Sequence, residues 1–109
     1  VDGGHTREHI VADLKTASEL AHPEGLIIID DFFHPGFPGV TEGYYAIAGA
    51  NQIPFIPLFV NRKKLVLCHV SYRSHFWNVM TKTARVELDA IAPAKVVRIA
   101  GHDTIYYGV

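Results

Sequence analysis

Ile10, Val11, Leu14, Ala17 and Ala21 recur at helical spacing, while Asp13, Lys15 and Glu19 lie off that stripe. The period predicts an amphipathic helix from Thr6 to Ala21. Thr6 suits the N-cap after the flexible Gly3-Gly4 pair. The breaker cluster His22-Pro23-Glu24-Gly25 ends the helix. LIIID, Leu26 to Asp30, follows as an apolar run without alternation. Such a run predicts a strand covered on both faces, as in the parallel sheets of α/β proteins. PGFPG, Pro35 to Gly39, reads as a loop. Val40, Tyr44, Ile47 and Ala48 predict a second helix, which Gly43 and Gly49 weaken.

FIPLFV (Phe55–Val60) and KLVLCHV (Lys64–Val70) flank the polar Asn61-Arg62-Lys63 and predict a hairpin. Pro57 points to an edge position for its first strand. Phe76, Trp77, Met80 and Ala84 share one side of a third helix over Tyr72–Ala84. KVVRIA and TIYYGV, around Gly101-His102-Asp103, predict a second hairpin. The order is helix, strand, helix, hairpin, helix, hairpin, in one domain over residues 1–109. Its early part reads as the second half of an α/β sheet.

Composition narrows the picture. Hydrophobic residues make up 49% of the 109, close to the globular average, so the chain is expected to fold around a core. The net charge of −1, without a basic block, gives no reason to expect nucleic acid or an anionic membrane as partner. The longest apolar run is far too short to cross a bilayer. A single cysteine, Cys68, leaves no internal disulfide and fits a reducing, cytoplasmic setting. Within LVLCHV it reads as a buried thiol. The tyrosine pairs Tyr44-Tyr45 and Tyr106-Tyr107 read as packing groups.

Candidate chemistry is concentrated at the start, in VDGGHTREH. The stretch is open to three readings. It can be a turn that launches a helix, since turns favour Asp and Gly. His5-Thr6-Arg7-Glu8-His9 also fits H-x-x-E-H, a zinc-hydrolase pattern. That pattern requires both histidines on one continuous helix, and Gly3-Gly4 stand directly before His5. In the third reading, Asp2 ends one strand stub and Asp30-Asp31 end the next strand. Neighbouring parallel strands bring their carboxyl ends to one edge, where ligands bind. Asp2, Asp30 and Asp31 would meet there with His5. Three carboxylates suit a hard cation such as Mg²⁺, and a histidine near neutrality suits a general base.

DGGHTREHIVADLKTASELAHPEGLIIIDDF resembles the class I S-adenosylmethionine-dependent methyltransferases. It is most similar to a branch with D-G-x-H-x-Y/R-E, a helix, then P-G-G before an apolar strand ending in D-D. The residues carrying the resemblance are Asp2, Gly3, His5, Glu8, Asp13, Leu14, Pro23, Gly25 and Asp30-Asp31. FHPGFPGVTEGYYAI is similar to that branch's next loop and helix, and FIPLFV with KLVLCHV to its closing antiparallel strands. The resemblance covers residues 1–70; residues 71–109 have no counterpart in it. It implies a partial Rossmann-like methyltransferase sheet, its second half, with a closing antiparallel hairpin and a C-terminal helix plus hairpin. It also implies O-methyl transfer to a small-molecule hydroxyl. Asp2, Asp30 and Asp31 would hold Mg²⁺, and His5 would remove the acceptor's proton.

The family's donor-binding elements precede this region, and no G-x-G-x-x-G occurs in the 109 residues. The expectation is therefore methyltransferase ancestry, without donor binding by these residues alone. The strand that would flank LIIID is cut short, so an open edge is expected there. A homo-oligomer, a separately supplied N-terminal half, or the C-terminal hairpin would cover it. A non-catalytic interaction module is the competing expectation.

Overall fold

The computed structural model describes residues 6–87 and 95–107. Thr6 caps α1 (Arg7–Leu20), its hydroxyl oxygen accepting the His9 N–H at 3.3 Å. Ile10 and Leu14 carry the buried face of α1. β1 (Leu26–Asp30) follows, then α2 (Pro38–Gly49). Pro38 and Gly39, placed in a loop by the sequence, form the first turn of α2. Proline is suited to that position, where its missing N–H would have no partner anyway. β2 (Phe55–Val60) and β3 (Lys64–His69) form the expected hairpin. A short 3₁₀ turn, Val70–Tyr72, leads into α3 (Arg73–Glu87). β4 (Lys95–Ile99) and β5 (His102–Tyr106) make the second hairpin. The tail of TIYYGV, Gly108-Val109, lies outside the described residues.

The five strands form one mixed sheet in the order β1-β3-β2-β5-β4. β3 is antiparallel to both β1 and β2, so β1 and β2 run the same way. β5 runs parallel to β2. The carboxyl ends of β1, β2 and β5 therefore lie on one edge. α1 and α2 cover one face, where Ile10, Leu14, Val40, Tyr44 and Ile47 pack on Ile27, Ile29, Phe55, Val60, Leu65 and Leu67. Trp77 and Met80 of α3 pack on Ile105, Tyr107 and Phe59. The fold is α/β and compatible with part of a Rossmann-like sheet.

Three expectations are corrected. β1 is not covered on both faces: Ile27 and Ile29 are buried, but Leu26 and Ile28 are 45% and 47% exposed. The continuous apolar run arises although α3 packs on β2 and β3 instead. Pro57 does not mark an edge strand, because β2 lies between β3 and β5. The register shifts between Pro57 and Phe59, and β5 pairs with β2 only at Phe59 and Val60. The proline thus sits at a bulge, before the second ladder begins. The C-terminal hairpin does not cover β1 either; it extends the opposite side of the sheet. Its chain is carried there by the pairing of β5 with β2.

The tight turn of that hairpin uses Ala100 and Gly101, with φ of 50° and 81°. Two left-handed residues match the right-handed twist of the strands, as in a type I′ turn. Alanine pays about 1–2 kcal/mol for that conformation. Ala100→Gly is therefore expected to raise stability by about 0.5–1 kcal/mol, read as a higher urea midpoint at unchanged slope.

Tyr44 is 1% exposed, and burial pushes its hydroxyl well above the usual phenol range. Burial also pushes up Tyr45 and Tyr107. Below about pH 10 both folded and unfolded chains keep these protons. Above it the unfolded chain releases them while the folded chain retains them. Stability should then fall with rising pH, by up to about 1.4 kcal/mol per unit for the buried Tyr44 proton and by less for the more exposed Tyr45. Tyr44→Phe should flatten that fall, measured as denaturant midpoints across the alkaline range.

Candidate functional site

β1 delivers Asp30 and Asp31 to the carboxyl edge. Asp30 pairs in register with Lys64. The Lys64 ammonium lies 4.0 Å from Asp30 Oδ1, with both side chains substantially exposed. Such a contact contributes little to stability. Oδ1 also accepts the Asp31 N–H at 3.1 Å. This leaves a carboxylate anchored through one oxygen at the rim of the sheet.

The chain then turns sharply. Asp31 and Phe33 have φ of 58° and 62°, both left-handed. Aspartate tolerates this conformation; phenylalanine rarely adopts it. Each such residue costs about 1–2 kcal/mol. Between them Phe32 is fully buried, packed edge-on against Tyr44 at 5.6 Å between ring centres. Its N–H donates to Lys63 O at 2.9 Å, and the Phe33 N–H donates to Thr41 Oγ1 at 2.9 Å. The His34 N–H closes the turn on Asp31 O at 3.0 Å. One anchored ring and three hydrogen bonds hold a backbone that the side chains alone would not select. Strain of this kind concentrates at functional sites.

The same edge carries cations. The hairpin turn between β2 and β3 presents Arg62 and Lys63, both exposed, next to Lys64. Asn61 Oδ1 fixes this turn by accepting the Lys63 and Lys64 N–H groups at 2.9 and 2.8 Å. Lys95 opens β4 opposite Tyr106, the last residue of β5. Together they make the carboxyl edge locally basic around an acidic pair, a balance that the net charge of the chain conceals.

Of the four residues singled out in the sequence, Asp30 and Asp31 are adjacent at this edge; Asp2 and His5 lie outside the described residues. Among the described residues no group of three His, Cys, Asp or Glu side chains could hold a metal. Mg²⁺ is often held by one or two carboxylates with waters completing its shell, and Asp30 and Asp31 supply carboxylates of that kind. Of the zinc pattern's two histidines, His9 lies on α1 behind the Thr6 cap, while His5 lies outside the described residues. Cys68 is fully buried, and burial pushes its thiol up, as expected of an inert side chain.

Two wide grooves lie elsewhere. One, of about 540 Å³, runs between α1 and α2 along Val11 and Ile47; the other, of about 630 Å³, is lined by Glu24, Tyr72 and Phe76. Neither is lined by Asp30 or Asp31. Among the described residues no helix is long and apolar enough to cross a membrane. No protein-family model, curated protein or solved structure matches the chain.

Proposed function

We propose that this chain provides the metal- and acceptor-binding part of an S-adenosylmethionine-dependent O-methyltransferase, acting on a small-molecule hydroxyl. The observation that carries the reading is the pair Asp30-Asp31 in a strained turn at the carboxyl end of β1. An antiparallel β3 between the co-directional β1 and β2 supports it further, since closing antiparallel strands accompany the motif in the family it resembles.

In this proposal Asp2, Asp30 and Asp31 would hold Mg²⁺. When bound, the ion lowers the pKa of the acceptor hydroxyl. His5 accepts the hydroxyl proton on a ring nitrogen. The deprotonated acceptor oxygen would take the methyl group that the donor supplies, with S-adenosylhomocysteine as the leaving group. No glycine-rich turn of the G-x-G-x-x-G type lies within the 109 residues. Donor binding is therefore assigned to elements other than these.

Calorimetry tests both parts. Mg²⁺ should bind the wild-type chain, and Asp31→Asn should weaken it about tenfold or more, because one charged ligand is lost. S-adenosylhomocysteine should give no heat of binding with these residues alone. Absence of Mg²⁺ binding would overturn the metal assignment.

The half-exposed Leu26 and Ile28 favour a second reading, an interaction module without catalysis that assembles with copies of itself. It predicts a dimer or larger species in light scattering, dissociated by Leu26→Lys, and indifference to His5→Ala.

A further inference from the structure

A third cleft, of about 250 Å³, lies between the turn after β1 and the β4–β5 hairpin. Its floor includes Val60, which is 2% exposed, and its walls include Phe33, Val97 and Tyr106. Phe33 is 51% exposed and held at a costly backbone conformation, so an apolar ring is kept at the cleft instead of in the core. Among the described residues no Asp or Glu lines the space. Two cations stand at it. Arg98 is already engaged, donating to the Asp103 carboxylate at 3.2 Å and to Gly101 O. Lys95 Nζ lies 5.3 Å from the Tyr106 ring centre, and among the described residues it has no carboxylate partner within ion-pair distance. Arg62, Lys63 and Lys64 share this edge with Asp30 and Asp31, so with Lys95 its cations outnumber its carboxylates and the net field there favours an anion.

The volume is below the range typical of drug-sized ligands, which limits the occupant to about one ring. We propose that this cleft binds a monocyclic aromatic carboxylate, its ring between Phe33 and Tyr106 and its carboxylate on Lys95. The assignment goes beyond the methyl-transfer reading and does not depend on it, because it needs neither donor nor metal.

Amide NMR titration of the 109-residue chain with para-hydroxybenzoate tests it. Saturable shifts are expected at Phe33, Lys95, Val97 and Tyr106. The neutral para-hydroxybenzamide should bind about tenfold more weakly, since it lacks the charge-assisted contact. Lys95→Met should weaken the acid by a similar factor and leave the amide's affinity unchanged. Lys95 is exposed, so a native spectrum of the variant separates lost binding from lost folding. Three results would each overturn the proposal: no saturable shift, equal affinity for acid and amide, or shifts confined to Arg62–Lys64. Because Mg²⁺ and donor are absent from the experiment, its failure leaves the methyl-transfer reading to its own test.

Discussion

Gly43→Val should lower stability by about 3 kcal/mol, the upper end of ordinary overpacking costs. A Cβ built at Gly43 would lie 2.8 Å from Ile10 Cβ and 2.9 Å from Arg7 O. The oxygen belongs to the backbone of α1, so the whole helix must move to make room. A glycine inside a helix costs about 0.5–1 kcal/mol relative to alanine. Here that cost permits α1 and α2 to pack at closest approach over the sheet. For a domain of this size the loss corresponds to a fall in Tm of roughly 12–24 °C. Gly49→Ala is the control. Nothing lies within 4 Å of its Cβ position, and the substitution should be neutral or mildly stabilising.

Phe32→Ala should cost about 3–5 kcal/mol, as expected for deleting a fully buried ring. Its effect should also spread further than a cavity. Phe32 lies between the left-handed Asp31 and Phe33, and such conformations persist only where their surroundings over-determine them. Without the ring against Tyr44, the turn should relax toward ordinary backbone angles. Denaturant unfolding would read the stability loss. Amide exchange would read the turn, with faster exchange expected at Phe33 and His34 beyond what the global loss explains. Native-like protection there would mean that the hydrogen bonds to Lys63 and Thr41 suffice.

The sequence made the element order legible because each element has a clear period and a clear stop. Thr6 and the His22–Gly25 cluster bound α1 almost to the residue. LIIID and FIPLFV are strands over the ranges their apolar runs suggested. Strand neighbours were harder to read. The run Leu65–Cys68 is buried throughout, since β3 occupies the centre of the β1-β3-β2 trio, and an apolar hairpin strand does not disclose which partner lies on its far side. Pro57 misled because a bulge can absorb a missing N–H as well as an edge can.

The site was legible only in part. Asp30-Asp31 stand out as an acidic pair closing an apolar run. Phe33 carried no such signal, because phenylalanine disfavours the left-handed conformation it adopts here. Lys95 likewise looked like the first residue of an ordinary strand. Its relation to Tyr106 and Phe33 depends on β5 crossing to β2, which no local pattern encodes.

Methyl transfer as proposed requires distant acids to meet at the edge where β1 ends. Anomalous diffraction from a Mn²⁺-soaked crystal addresses it directly, with manganese standing in for magnesium. One peak bridging the carboxylates of Asp2, Asp30 and Asp31, beside the His5 ring, is the predicted result. A peak on His9 instead, or an ordered Asp2 on the far side of the sheet from Asp30, would contradict it.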